Sequence, residues 1–167
     1  MDVIESITMN FTEQRHGIYR EIPVKDPNWD YIHLTNIDVV WDPVAEKSLD
    51  DTYYTIKIWS ADSYVYWAKT YTIRYTVENA IKAFSEFTWW TTWTRQELYW
   101  NVIWHSWNTT IKNPTFSLTI PKEQLFSGDD MFVVWWVQNS QNNTHATIQQ
   151  VWTSSIAGTV QSVLQPY

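Results

Sequence analysis

Alternation of apolar and polar side chains is the feature that most restricts how this chain can fold. Residues 7–12, ITMNFT, alternate strictly, which is typical of a strand with one buried face. Comparable runs rich in β-branched and aromatic residues follow at 31–40, 53–58, 71–77, 97–103, 115–120, 132–134 and 144–151. Short strands of this kind, separated by turn residues, predict an all-β domain, an antiparallel β-sandwich of immunoglobulin-like type.

One stretch departs from this period. In VENAIKAFSEF, residues 77–87, the apolar residues Ala80, Ile81, Phe84 and Phe87 fall at helical spacing. We expect a short helix or a loop there, and at most this one helix in the chain. No repeat or linker divides the 167 residues, which therefore predict a single domain over 1–167.

Charge and cysteine content exclude several classes of function. The formal net charge is −7 without any Lys/Arg-rich run, so nucleic acid is not an expected partner. The absence of cysteine removes disulfides, thiolate nucleophiles and thiolate-bound zinc. No apolar stretch is long enough to predict a membrane-spanning helix within these residues.

Tryptophan and glycine occur in abnormal numbers. The chain has 13 tryptophans and 3 glycines, whereas ordinary glycine usage of about 7% predicts roughly 12. Most tryptophans stand in turn segments where the neighbours predict glycine; Asn28-Trp29, for example, replaces the Asn-Gly of a hairpin turn. Eleven positions follow this pattern: Trp29, Trp41, Trp59, Trp67, Trp89, Trp90, Trp93, Trp104, Trp135, Trp136 and Trp152.

The coincidence of tryptophan excess, glycine deficit and turn position suggests a hypothesis about translation. Some bacterial lineages read the codon UGA as glycine. Under this hypothesis the eleven positions are glycines in the natural protein, and their UGA codons were translated as tryptophan. A real cluster of aromatic side chains is the alternative.

Five segments of the chain resemble one known family in order and spacing. They are HGIYREIPV (16–24), TYTIRYTVENAI (70–81), ELYWNVIWHSWNTTI (97–111), FSLTIPKE (116–123) and VLQPY (163–167). Together they are similar to the exported domain of a bacterial predicted-membrane-protein family, domain of unknown function 2207. Trp100 and Trp107 match true tryptophans of the family pattern, whereas Trp104 stands at a glycine position.

The resemblance carries expectations about location and extent. Members look like a signal sequence, this extracytoplasmic β-domain and then transmembrane segments. The resemblance therefore implies a cell-membrane protein whose domain faces the extracytoplasmic side, with membrane association through segments outside these residues. The chain is then expected to be a fragment, truncated at both ends.

The HGIYR segment groups chemically capable residues at a strand end. His16 and Arg20 lie near Glu13 and Glu21, and Gly17 allows an unusual φ. One interpretation is a binding site in which Arg20 pairs with a carboxylate of a ligand or partner. The other is a structural turn tied by an Arg–Glu or Arg–carbonyl bond.

The ELYWNV segment offers one further candidate and two structural residues. Glu97 is a candidate binding residue, and it could serve as general acid or base only beside a second carboxylate, which the sequence does not supply. Trp100 and Trp107 are expected to be core anchors, because a large indole is more often buried than used as a sugar platform.

The remaining motifs predict neither metal nor cofactor. His16, His33, His105 and His145 are scattered, without the spacing of a preformed metal site. The acidic pair in SGDD, residues 127–130, is expected to be a solvated turn.

The leading interpretation is a non-catalytic domain of unassigned function that binds an envelope protein or a glycan. The alternatives are a carbohydrate-binding module with exposed tryptophans and an envelope hydrolase.

Overall fold

A computed structural model describes residues 1–25, 30–87, 89–90, 92–98, 100, 109–112, 115–119, 146–152 and 155–160. Within them the chain forms eleven strands and no helix, and every strand pairing is antiparallel. The strands are β1 (Asp2–Arg15), β2 (Gly17–Pro23), β3 (His33–Val40), β4 (Val44–Leu49), β5 (Tyr53–Trp59), β6 (Val65–Glu78), β7 (Ile81–Phe87), β8 (Thr92–Leu98), β9 (Thr115–Thr119), β10 (Ala146–Trp152) and β11 (Ser155–Val160). The predicted all-β, antiparallel fold class is confirmed.

The chain divides into two compact units, Met1–Trp100 and Asn101–Tyr167. The first contains the sheets β1-β6-β3 and β2-β5-β4 and the hairpin β7-β8. The second contains the sheet β10-β11-β9. The single domain expected from the sequence stays a prediction, as does the strand at 132–134, which lies outside the described residues.

The two three-stranded sheets of the first unit enclose one core in a sandwich-like arrangement. Ile22 of β2, Ile56 of β5 and Ile73 of β6 are completely buried. The core cluster also contains Ile18, Val39, Ile58, Tyr71, Tyr75 and Val77. Because both sheets supply these side chains, burial of their inner faces is what holds the sheets together.

Gly17 permits the chain to pass from one sheet to the other between β1 and β2. Its φ is +151°, a backbone conformation that side chains with a Cβ rarely adopt. A Cβ placed there would lie 1.9 Å from the carbonyl oxygen of Ile58. This position therefore requires glycine, because the obstructing atom belongs to the backbone of the neighbouring strand.

Residues 77–87 form neither a helix nor a loop. The strand β6 continues to Glu78, and β7 then pairs with β8 as a hairpin, from Ile81 opposite Leu98 to Phe87 opposite Thr92. Asn79 adopts a φ of 52° in the turn between β6 and β7, which asparagine tolerates better than most residues. The prediction was wrong because four apolar residues over so short a span do not distinguish the two periods, and pairing with β8 decided the outcome.

Candidate functional site

The HGIYR segment turns the corner after β1 and enters β2. Alternation along β2 directs Ile18, Arg20 and Ile22 into the core, while Tyr19 and Glu21 point outward. Arg20 is only 5% exposed and is the one buried charged residue in the part of the chain that the structure describes. A buried guanidinium requires partners, because its desolvation is costly.

Glu5 supplies the main partner from the opposite sheet. Nε of Arg20 donates to Oε2 of Glu5 at 2.6 Å, and Nη2 donates to Oε1 at 2.8 Å. The hydroxyl of Tyr75 on β6 donates to the same Oε1 at 2.7 Å. Nη1 of Arg20 donates to the backbone carbonyl of Glu21. Arg20 and Glu5 therefore form a bidentate ion pair between the two sheets, and the hydroxyl of Tyr75 adds a hydrogen bond to the carboxylate.

The electrostatic environment keeps Arg20 and Tyr75 protonated. Burial alone would lower the pKa of Arg20, but its hydrogen bond to Glu5 and the charge of that carboxylate raise the pKa above its ordinary value. Burial raises the pKa of Tyr75, and the charge of Glu5 and the hydrogen bond to it raise the pKa further. Arg20 therefore stays charged and Tyr75 stays protonated at physiological pH.

His16 holds the corner between β1 and β2 against the connection between β5 and β6. Its Nδ1 lies 2.8 Å from the carbonyl oxygen of Ser60 and 3.1 Å from that of Ser63. Both neighbours are acceptors, so Nδ1 carries the proton and donates. The rings of Tyr64 and Trp59 flank the imidazole, with centroids 4.2 Å and 5.0 Å away. These contacts join two sheet-to-sheet connections.

The residues of the ELYWNV segment lie apart from this network or partly outside the description. Glu97 belongs to β8, in a different sheet from Arg20, and its register partner is Lys82. Trp100 is half-buried and packs against the core, with its ring centroid 6.2 Å from that of Tyr75. Trp107 lies outside the described residues. For Glu97 the structure gives the strand and its register, so the predicted binding role of this residue stays a prediction.

Sequence reasoning missed Glu5 and Tyr75. The available signal was Glu5 itself, because it occupies an inward position of β1 between Val3 and Ile7. A carboxylate inside an apolar alternation predicts a buried partner. Tyr75 carried no comparable signal, since tyrosine is common on half-buried strands.

A second polar cluster lies near one end of β6. Lys69 forms an ion pair with the nearly buried carboxylate of Asp42, and its Nζ lies 5.2 Å from the ring centroid of Tyr71. Tyr71 is 1% exposed, and its hydroxyl has no hydrogen-bond partner in the part of the structure that is described. Burial, and secondarily the charge of Asp42, raises the pKa of Tyr71.

The described residues contain neither a metal-binding cluster nor a helix that could span a membrane. No group of three or more His, Asp or Glu side chains there has the geometry to hold a metal ion. No helix in that part has the length and apolar character needed to cross a bilayer.

Comparison with known protein families shows to which family the chain belongs. A model described as the predicted membrane protein (DUF2207) N-terminal domain matches residues 1–164. The chain belongs to this family. The resemblance to DUF2207 drawn from the five sequence segments is thereby confirmed over residues 1–164. The family description also confirms, at that level, the expected membrane-protein context.

Comparison with curated proteins found no match, and comparison with solved structures found none.

Proposed function

We propose that this DUF2207 domain is a non-catalytic interaction module that faces the extracytoplasmic side of its membrane and binds a protein of the cell envelope. The observation that carries the proposal is the way in which the buried charge of Arg20 is satisfied. Arg20, Glu5 and Tyr75 satisfy one another inside the sandwich. A network closed in this way stabilises a scaffold, whereas a catalytic group must be within reach of a substrate.

The placement of acidic residues also favours a non-catalytic role. Hydrolysis of a glycosidic bond by the common mechanism needs two carboxylates that face one substrate. Glu5 is engaged by Arg20, and Glu97 has Lys82 rather than an acidic residue as its register partner. Neither arrangement supplies the required pair.

The positions of the exposed indoles favour a protein partner over a glycan. Strongly exposed tryptophans in the described residues are Trp41, Trp67, Trp89 and Trp90. They belong to the connection after β3, to β6 and to the turn between β7 and β8. A sugar platform needs several coplanar rings on one face, and these indoles come from three segments that are separate in the sequence.

Cysteine labelling tests the orientation of the domain. The chain contains no cysteine, so Ser48→Cys at an exposed position of β4 provides a thiol that is unique within this domain. The full-length membrane protein without the substitution gives the background labelling. A membrane-impermeant maleimide should label it in intact cells. The matched control is Ile56→Cys, whose side chain is completely buried and should react only after denaturation. Labelling of Ser48→Cys only after lysis would contradict the extracytoplasmic orientation.

We also propose that the tryptophans at turn positions are glycines encoded by UGA. Trp41 and Trp67 support this most directly, because their φ angles are 70° and 80° while their side chains are 97% and 72% exposed. A left-handed backbone costs a bulky residue roughly 1–2 kcal/mol, and glycine avoids that cost. The backbone argument does not extend to Trp59, which lies within β5 with its ring against His16.

The gene and the natural protein test this proposal together. UGA codons at Trp41 and Trp67, with glycine at both positions in tandem mass spectra of the protein from its source, are the expected result. UGG codons at Trp89 and Trp90 would contradict the proposal for the turn between β7 and β8, and a UGG codon at Trp93 would contradict it for the start of β8.

A further inference from the structure

The outer edge of β2 has a defined set of backbone groups that do not pair with β5. In the described residues β2 pairs on one side, with β5. The backbone amide of Ser60 donates to the carbonyl oxygen of His16 at 3.2 Å. The backbone amide of Val24 donates to the carbonyl oxygen of Thr52 at 2.9 Å. Because backbone groups alternate in direction along an antiparallel strand, the even-numbered residues of β2 face β5. The backbone groups of Tyr19, Glu21 and Pro23 therefore face away from the sheet.

Two of these outward positions are closed to pairing. The carbonyl of Glu21 already accepts a hydrogen bond from Nη1 of Arg20. Pro23 has no N–H group to offer. An incoming strand would need both groups to continue the ladder of hydrogen bonds.

The guanidinium is held in this position by the opposite sheet. Glu5 binds Nε and Nη2 of Arg20, which leaves Nη1 directed at the carbonyl of Glu21. Glu5 lies on β1, the outer strand of its own sheet, and β1 leads directly into β2. Inward-pointing charges on outer strands are a known means by which β-proteins avoid edge-to-edge association.

We propose that Arg20, positioned by Glu5, closes the outer edge of β2 to strand addition by a second copy of this chain. This role is distinct from the contribution of the ion pair to stability. It is also independent of the proposed envelope function, because it concerns self-association of the domain.

The test replaces the pair by apolar side chains of similar size. Glu5→Leu combined with Arg20→Met removes both charges together, so neither charge is left without its counterion. The hydroxyl of Tyr75 loses its acceptor on Glu5, and the unfolding midpoint should therefore fall. The expected result is a folded chain that loses its monomer peak in sedimentation velocity as concentration increases.

The matched control is Glu13→Leu combined with Arg15→Met. This pair forms an exposed salt bridge at the end of β1, and its replacement makes the same change in composition on the surface. It should sediment as the unchanged chain does. Equal sedimentation of the two double variants, both folded, would overturn the proposal.

A single substitution keeps the proposal testable if the buried double variant does not fold. Arg20→Lys retains a cation beside Glu5, but one ammonium group cannot occupy the positions of three guanidinium nitrogens. We expect this variant to fold and to self-associate more strongly than the Glu13→Leu, Arg15→Met control. If Arg20→Lys sediments as that control does, the proposal that Arg20 closes the outer edge of β2 is refuted.

Discussion

The guanidinium of Arg20 and the carboxylate of Glu5 meet between the two sheets through paired contacts of 2.6 Å and 2.8 Å. Paired contacts of this kind fix the relative orientation of two planar groups as well as their separation. Since β1 and β2 carry the two residues, the pair sets the position of one outer strand against the other. The hydroxyl of Tyr75 adds a third contact, to the carboxylate of Glu5, from β6, the middle strand of the sheet β1-β6-β3.

Removal of one charge from this pair should cost much more than removal of the pair. Arg20→Ala leaves the largely buried carboxylate of Glu5, 17% exposed, without its counterion, and we expect the free energy of unfolding to fall by about 3 kcal/mol. The control is Arg15→Ala, because the side chains of Arg15 and Glu13 are 63% and 72% exposed; that change should cost less than about 1 kcal/mol. Urea unfolding of both variants measures the difference. Equal losses of unfolding free energy would contradict the prediction that burial makes the Arg20–Glu5 pair more costly to break.

The two buried tyrosines of β6 should respond differently to loss of their hydroxyls. Tyr75→Phe removes a hydrogen bond to a charged group, which is typically worth about 1.5–3 kcal/mol. Tyr71→Phe removes a hydroxyl for which the described residues supply no partner, so stability should be unchanged or higher. Thermal unfolding of the two variants provides the comparison. A loss in Tyr71→Phe as large as that in Tyr75→Phe would contradict the prediction.

Asp50 should make the turn between β4 and β5 sensitive to acid. Hydrogen bonds from the backbone amides of Tyr53 and Thr52 lower its pKa below the ordinary value of 3.8. A lowered pKa in the folded state means that the stabilisation is present above this ordinary value and is lost as pH falls through the folded-state pKa. The difference in unfolding free energy between the unchanged chain and Asp50→Ala should therefore shrink in acid, as urea titrations at neutral and low pH can show. A difference independent of pH would be inconsistent with this role.

Gly17→Ala should be far more damaging than Gly158→Ala. A Cβ at position 17 would meet the backbone oxygen of Ile58 at 1.9 Å, whereas one at position 158 would meet the ring of Phe116, whose nearest atom is 2.3 Å away. A side chain can rotate, but a paired strand cannot move without breaking its hydrogen bonds. We expect Gly17→Ala to lose the folded signal in circular dichroism and Gly158→Ala to retain it. The reverse order would refute the assigned corner geometry.

Replacement of individual tryptophans by glycine should have opposite effects at different positions. Trp41→Gly and Trp67→Gly each relieve a left-handed backbone and should raise the free energy of unfolding by roughly 1 kcal/mol. Trp100→Gly removes a ring packed against the core near Tyr75, and should lower it by about 3 kcal/mol. Chemical denaturation of the three variants measures these changes. Destabilisation by Trp41→Gly and Trp67→Gly would show that their indoles make important contacts.

The strands that could be predicted are those whose inner faces are apolar without interruption. The run at 53–58 corresponds to β5 and the run at 71–77 lies within β6. The strand β2 was not predicted as such, because Arg20 breaks its alternation between Ile18 and Ile22. Sequence reasoning selected His16 and Arg20 as candidate residues, yet it did not identify Glu5 as the carboxylate beside Arg20. The roles proposed for His16, Arg20 and Glu97 in binding stay predictions.

The amino-acid sequence by itself determined the β-rich character of the chain and its membership of the DUF2207 family. These properties follow from residue order and from the two-residue period of a strand. Only the tertiary structure decided that Glu5 meets Arg20, 15 residues away, and Tyr75, 70 residues away. Such partners depend on how the sheets pack, because local periodicity gives the face on which a charge lies but not the residue that faces it.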